Sequence, residues 1–241
     1  MKRPVFAAGN IYHVYNRGTD KRVIFLDESD YLRAIHDLWE FNDEHPAPHL
    51  SLKSVGSPTS HRFGDRPPKD IPPKREPRKL LVKIHAFVLM ENHFHLLLEP
   101  IKDTGVTEFM RKFGTGYTNY INQKYQRSGV LFQGKFKAIR ISDEAHFLHI
   151  PYYIHCNPLD YFDPGWRAGK LKNPTKALAF LEQYRWSSLP DYIGKKNFPS
   201  VSSRDFLTKF VGFETWRTKI TTWLKDRRAD DLGEMKPFLF E

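Results

Sequence analysis

Two imidazoles stand one residue apart in this chain, His93 and His95 around Phe94, at the start of an apolar run. On a strand the side-chain period of two sends both rings to one face and Phe94 to the other. Neighbouring same-face imidazoles can chelate one divalent ion. With 11 histidines in 241 residues, one such pair is weak by itself. The competing reading is two histidines on the polar face of a strand. A second pair, Tyr153 and Asn157, has the spacing i, i+4 and so shares a face of a helix. A phenol is a nucleophile that can form a covalent intermediate, and an asparagine carbonyl can be a neutral third ligand. Tyr152, about 100° around the helix, competes with Tyr153. Tyr117 and Tyr120 fit an apolar stripe and read as core. His149, four residues before Tyr153, is a candidate acceptor for the phenol proton, against an ordinary surface histidine. His155 lies off that face and reads as structural.

Pattern also draws the elements that must hold these residues. Residues 11–17 are rich in aromatic and β-branched side chains and read as a first strand ended by Gly18. Residues 29–43 carry Tyr31, Ile35, Leu38 and Phe41 at helical spacing. The segments 80–90 and 93–100, separated only by Glu91 and Asn92, predict a tight hairpin. Both are apolar on nearly every position, so helices should cover the sheet. Residues 104–127 predict a helix with Val106, Phe109, Met110, Phe113, Tyr117, Tyr120 and Ile121 on one face. Gly114 and Gly116 inside it each cost roughly 1 kcal/mol against Ala, and mark close packing or irregularity. Residues 130–141 alternate from Lys135 and predict a strand. A helix should then run from Ser142 to about Cys156, restarting at Pro151, which cannot sit in a helix interior without a kink. Trp186, Trp216 and Trp223 are expected packing anchors in a helical remainder.

Composition bounds the partners. Lys and Arg number 38 against 28 Asp and Glu, a net +10, so a polyanion such as nucleic acid is a natural partner. The longest apolar runs fall far short of the roughly 20 residues of a membrane span. Cys156 alone allows neither an internal disulfide nor a multi-cysteine zinc site, which fits a reducing cytoplasm. Residues 44–79 hold 8 of the 17 prolines and almost no large apolar side chains, and read as a flexible insertion. Phosphate contacts are expected from Arg17, Arg22, Arg111, Lys112, Lys135, Lys137 and Arg140, each weighed against an ordinary solvated charge. Tyr12 and His13 either touch a base or pack in the strand core.

The order of the motifs resembles the REP-associated tyrosine transposases, within the HUH single-strand DNA transposases. Four stretches carry the likeness: Tyr12-His13-Val14-Tyr15-Asn16-Arg17-Gly18, Met90-Glu91-Asn92-His93-Phe94-His95-Leu96-Leu97, Arg127-Ser128-Gly129 with the segment 132–137, and Tyr153-Ile154-His155-Cys156-Asn157-Pro158. Tyr184-Arg185-Trp186-Ser187-Ser188 adds to it, so the likeness spans roughly 10–190. Departures are Glu91 where proline is usual, the long insertion, and Pro151 before the tyrosine.

The resemblance implies an α+β, ferredoxin-like antiparallel sheet with helices packed on it, the HUH tyrosine-transposase fold. It implies a catalytic domain over 1–190 and leaves 191–241 as a helical C-terminal extension. It implies that His93, His95 and Asn157 hold Mg²⁺ or Mn²⁺ and that Tyr153 is the nucleophile; His13 and His149 stand beside this set as candidate auxiliary residues from their own positions in the sequence. Imidazole ligands by themselves suit Mn²⁺ or Zn²⁺ better than Mg²⁺. The implied reaction is cleavage and rejoining of single-stranded DNA at hairpins through a 5′-phosphotyrosine, by a monomeric or homodimeric cytoplasmic, nucleoid-associated protein. The alternatives are a hairpin-binding protein without catalysis and a metal-dependent phosphodiesterase with water as nucleophile.

Overall fold

The computed structural model describes residues 3–46, 77–142, 144–211 and 215–226. Residues 47–76 of the proline-rich stretch and the end of the chain from 227 lie outside the described residues.

The chain order is β1 (Ile11–Arg17), α1 (Glu28–Glu40), β2 (Val82–Met90), β3 (His93–Pro100), α2 (Gly105–Lys124), β4 (Lys137–Ile141) and α3 (Glu144–Cys156). Among the described residues four further α-helices come after these: α4 (Pro174–Gln183), α5 (Leu189–Tyr192), α6 (Asp205–Val211) and α7 (Trp216–Asp226). The four strands form one antiparallel sheet in the order β2-β3-β1-β4. This βαββαβ chain with that strand order is the ferredoxin-like arrangement, extended by helices after β4.

Each face of the sheet is covered. Tyr12 and Val14 of β1 and Phe94, Leu96 and Leu98 of β3 pack against α1 and α2. The opposite face carries Leu97, Val88 and Ile141 against α3, with Leu207, Trp216, Ile220 and Leu224 of the last two helices in the same cluster. A register shift between Ile84 and Ala86 changes the parity of β2, so that Ala86, Val88 and Met90 face α3 while Val82 and Ile84 face α2. The displaced His85 is buried between Glu99 (2.9 Å) and the Ser203 carbonyl (3.1 Å). The β2 edge is closed by residues 186–188, through Leu89 N–H to Trp186 O and Ser188 N–H to Phe87 O.

Local chemistry explains the boundaries. Asp27 and Asp30 form a reciprocal cap that starts α1. α2 is continuous through both glycines, and Gly116 is there for space: a Cβ would stand 2.3 Å from the Phe41 ring. β4 is shorter than the alternation predicts, because Gly129 and Gly134 take positive φ and turn the chain before Lys137. α3 also departs from expectation. It runs unbroken from Glu144 to Cys156 with Pro151 inside it, not restarting there. A proline in a helix interior costs about 3 kcal/mol, and burial of Ile150, Tyr153, Ile154 and Cys156 on this one helix offsets it. Among the described residues no helix is long and apolar enough to cross a membrane.

Candidate active site

β1 and β3 lie side by side with Tyr15 opposite His95 and Arg17 opposite His93. Alternation therefore puts His13, Tyr15 and Arg17 on the same face as His93 and His95, the face that α3 crosses. His13 and His95 are fully buried and joined by a 2.9 Å hydrogen bond between His13 Nε2 and His95 Nδ1. The remaining ring nitrogens, His13 Nδ1 and His95 Nε2, are buried without a hydrogen-bond partner. His93 stands edge-on to His95 at 5.1 Å between ring centres, and its Nδ1 is 2.6 Å from Asn92 Oδ1.

α3 brings Tyr153 down onto these rings. Its ring centre is 5.8 Å from His95 and 6.2 Å from His13, edge-on to both. Asn157 is not on α3: it opens a 3-10 turn (Asn157–Asp160) that continues the chain from Cys156. The i, i+4 relation survives, because the Asn157 Nδ2 group donates to the Tyr153 carbonyl at 2.8 Å.

A residue that the motifs do not contain joins this group. Arg167, on the 3-10 turn Pro164–Ala168, donates from Nη1 to the Tyr153 hydroxyl (3.1 Å) and from Nη2 to Asn157 Oδ1 (3.0 Å). Asp160 accepts from Arg167 Nε (2.8 Å) and Nη2 (2.7 Å), and also from the Trp166 indole (2.6 Å). An arginine ten residues past Asn157, after a turn with Asp160 and Asp163, gives no periodic signal; only its proximity reveals it.

Burial dominates the protonation of the site. It pushes His13 down to about 3 and His93 down to about 4, where the Asp160 carboxylate opposes the fall and the Arg167 and Arg17 cations deepen it. His95 is held well below its usual value by burial, then by His13, His93 and Arg167. Burial thus favours the neutral form of all three rings. Burial raises the Tyr153 phenol, against the charge and hydrogen bond of Arg167.

Among the described residues no three His, Cys, Asp or Glu side chains converge to hold a metal. The available donor set is two imidazoles and one amide. It fits a divalent ion in one respect: the His95 Nε2 that would ligate is buried and orphaned, while its Nδ1 is fixed by His13.

The remaining expected residues fall into different places. His149 accepts from the Trp223 indole at 3.0 Å, while the Tyr153 hydroxyl is engaged by Arg167. Tyr152 packs against Trp216 and Trp223. His155 is buried against Ser188 at 2.8 Å. Tyr12 and His13 are both fully buried in the strand core. Lys112 is engaged within the chain. Its ammonium binds the carbonyls of Asp43, Glu44 and His45, closing the chain after α1. Arg17 bonds the Gln133 side chain and Arg22 the Thr19 carbonyl. Pairing puts Lys137 opposite Tyr15, on the α3 face, and Arg140 opposite Tyr12, on the other. Arg111 and Lys135 line a 660 Å³ cleft with Asn16, Phe94 and Thr115 on the α2 side, across the sheet from Tyr153.

Residues 76–157, roughly a third of the chain, match the model of the family described as transposase, IS200 like. The matched segment holds His93, His95, Tyr153 and Asn157, and ends before Arg167. No curated protein matches the chain. A solved structure described as "Structure of the REP associates tyrosine transposase bound to a REP hairpin" is similar with a TM-score of 0.44 and 14% identity, over 85% of this chain and 92% of that one.

Proposed function

We propose that the protein is a metal-dependent transposase that cleaves and rejoins single-stranded DNA at hairpins, acting in the cytoplasm on the nucleoid. The observation that carries this reading is the seating of Tyr153 on the His13–His95 pair, with the orphaned His95 Nε2 beside it.

In this reading His93, His95 and Asn157 hold Mg²⁺ or Mn²⁺. When bound, such an ion neutralises the charge that develops on a phosphodiester during displacement. His13 accepts the Nδ1 proton of His95, which selects the tautomer whose Nε2 lone pair can ligate. Tyr153 supplies the nucleophile. Its phenolic oxygen bonds to phosphorus as its proton passes to water, and the P–O3′ bond breaks with the departing O3′ taking a proton from water, leaving a 3′-hydroxyl and a 5′-phosphotyrosine. A second 3′-hydroxyl reverses the step and frees Tyr153. One phosphoester replaces another, so no external energy is needed. Arg17 and Lys137, on the same face, suit the approaching backbone, and Arg111, Lys135 and Arg140 suit the duplex or flank on the other.

The test uses labelled single-stranded hairpins of varied flanks with Mn²⁺ or Mg²⁺ on a denaturing gel. A slow band that survives SDS, requires the metal and is absent in Tyr153→Phe is expected. Cleavage without an adduct would mean a metal-activated water. Binding with neither would favour a second reading, a hairpin-binding protein with a silent site. That second reading has one observation of its own: Tyr153 is only 1% exposed and its hydroxyl is already engaged.

A further inference from the structure

We propose that Arg167, held by Asp160, is a positioning residue for strand transfer: its guanidinium fixes the Tyr153 hydroxyl and the amide orientation of Asn157 together. The proposal rests on the proposed roles of those two residues, and adds a third that lies outside every motif.

The guanidinium is planar, and its orientation is set from one edge. Nε and Nη2 grip the two oxygens of Asp160 at 2.8 and 2.7 Å, the fork geometry that a carboxylate matches. Asp160 is itself held by the Trp166 indole N–H at 2.6 Å, and the Trp166 ring lies 4.7 Å from the guanidinium carbon. With Asp160 fixed, the far edge of the fork can point only one way. It points at Tyr153 and Asn157.

The effect on Asn157 is to define which end of the amide is which. Its Nδ2 donates to the Tyr153 carbonyl and its Oδ1 accepts from Arg167. A flipped amide would set NH₂ against the guanidinium and oxygen against a carbonyl. The oxygen, the amide atom able to ligate a metal, is therefore kept on the Arg167 side. The effect on Tyr153 is similar. Its hydroxyl accepts the Arg167 N–H, so the oxygen is aimed by the fork and its own proton is turned elsewhere. A lysine could not do this, because a single ammonium on a flexible stem does not span a carboxylate, an amide and a phenol in one plane. The Asp160–Arg167 pair thus ties both ends of the Tyr153–Asn157 pair to one rigid object, although α3 itself stops at Cys156.

The test uses the full chain as wild type, Arg167→Lys, Arg167→Ala, Asp160→Asn and Tyr153→Phe. Four quantities are measured: single-turnover adduct formation on a labelled hairpin, Mn²⁺ affinity without DNA by the free-ion paramagnetic signal, hairpin affinity, and melting temperature. Arg167→Ala and Arg167→Lys are expected to slow adduct formation by about 100-fold, as misplacement of a reacting group does. They are expected to weaken Mn²⁺ binding by roughly 10-fold, the usual cost of losing an outer partner of a ligand. Hairpin affinity and melting should hold. Asp160→Asn should fall between them and wild type. Added guanidinium ion should restore part of the Arg167→Ala rate and none of the Tyr153→Phe rate. Adduct formation and Mn²⁺ affinity both near wild type in Arg167→Lys would overturn the proposal. So would loss of adduct accompanied by loss of hairpin binding and cooperative melting, without guanidinium rescue, since that describes a structural residue. If wild type forms no adduct, the parent reading fails, and unchanged Mn²⁺ affinity in Arg167→Ala then overturns this one separately.

Discussion

The two faces of the sheet are made from alternate residues of the same two strands, yet they carry different chemistry. Toward α1 and α2, β1 and β3 present Tyr12, Val14, Phe94, Leu96 and Leu98, a continuous apolar surface. Toward α3 they present His13, Tyr15, His93 and His95, with an orphaned nitrogen on two of the rings. The first face is what burial of apolar area selects. The second buries polar groups that cost free energy unless something pairs with them. A fold can carry such a face when the other supplies the stability. One strand step, from Phe94 to His95, crosses from one role to the other.

Two fully buried tyrosines, one on each face, give the sharpest break of this comparison. Tyr117 donates to the Ile24 carbonyl at 2.7 Å, and Tyr153 accepts from Arg167. Tyr153→Phe should lower adduct formation by more than about 1000-fold, the scale expected when a nucleophile is removed. Tyr117→Phe should leave adduct formation intact and cost about 1 kcal/mol for the lost hydrogen bond, read by urea titration. Equal effects on transfer would dissolve the distinction between the faces.

The neighbours on β3 make the same contrast in stability. Phe94→Ala should cost about 3–5 kcal/mol by denaturant unfolding, as truncation of a buried aromatic does. His95→Ala should cost less and instead weaken Mn²⁺ binding by more than about 10-fold, read by titration calorimetry. A His95 variant that unfolds as readily as the Phe94 variant while binding Mn²⁺ normally would make His95 a core residue only.

Gly116→Ala tests the apolar face by overfilling it. The new Cβ meets the Phe41 ring at 2.3 Å, so a loss of about 1–3 kcal/mol is expected despite the better helix propensity of alanine. A stabilised variant would show that Phe41 moves aside freely.

The smallest effect lies in the helices beyond α3. Glu182 bonds Lys195 (2.9 Å) and Arg217 (2.7 Å) and so ties α4 to α7. Burial pushes its carboxyl up, and the two cations more than offset this, leaving it below its ordinary 4.5. The unfolded chain therefore binds more protons in acid. The stabilisation is present above pH 4.5 and is lost as pH falls through the lowered native value. Because both cations are more than half exposed, the size should be under about 1 kcal/mol. Melting temperature followed into acid should fall less steeply in Glu182→Gln than in wild type. An identical pH profile would remove Glu182 as a contributor.

The sequence by itself determined the features that local pattern dictates. The apolar runs and the Glu91–Asn92 break set β3 to the residue and β2 to within two residues at its start, and alternation put His93 and His95 on one face. The 3.6-residue stripe drew α2 with its buried tyrosines correctly. Spacing also related Tyr153 to Asn157, although the helix ends between them. Tertiary structure decided everything that depends on which elements meet. Periodicity cannot say that Lys112 spends its charge on the carbonyls after α1, or that His149 is turned to Trp223. It cannot show that His13, a β1 residue 82 positions away, bonds His95. Nor can it draw Arg167 into the site, because a hydrogen-bonding fork is recognised by direction and distance, and neither is written in the order of the residues.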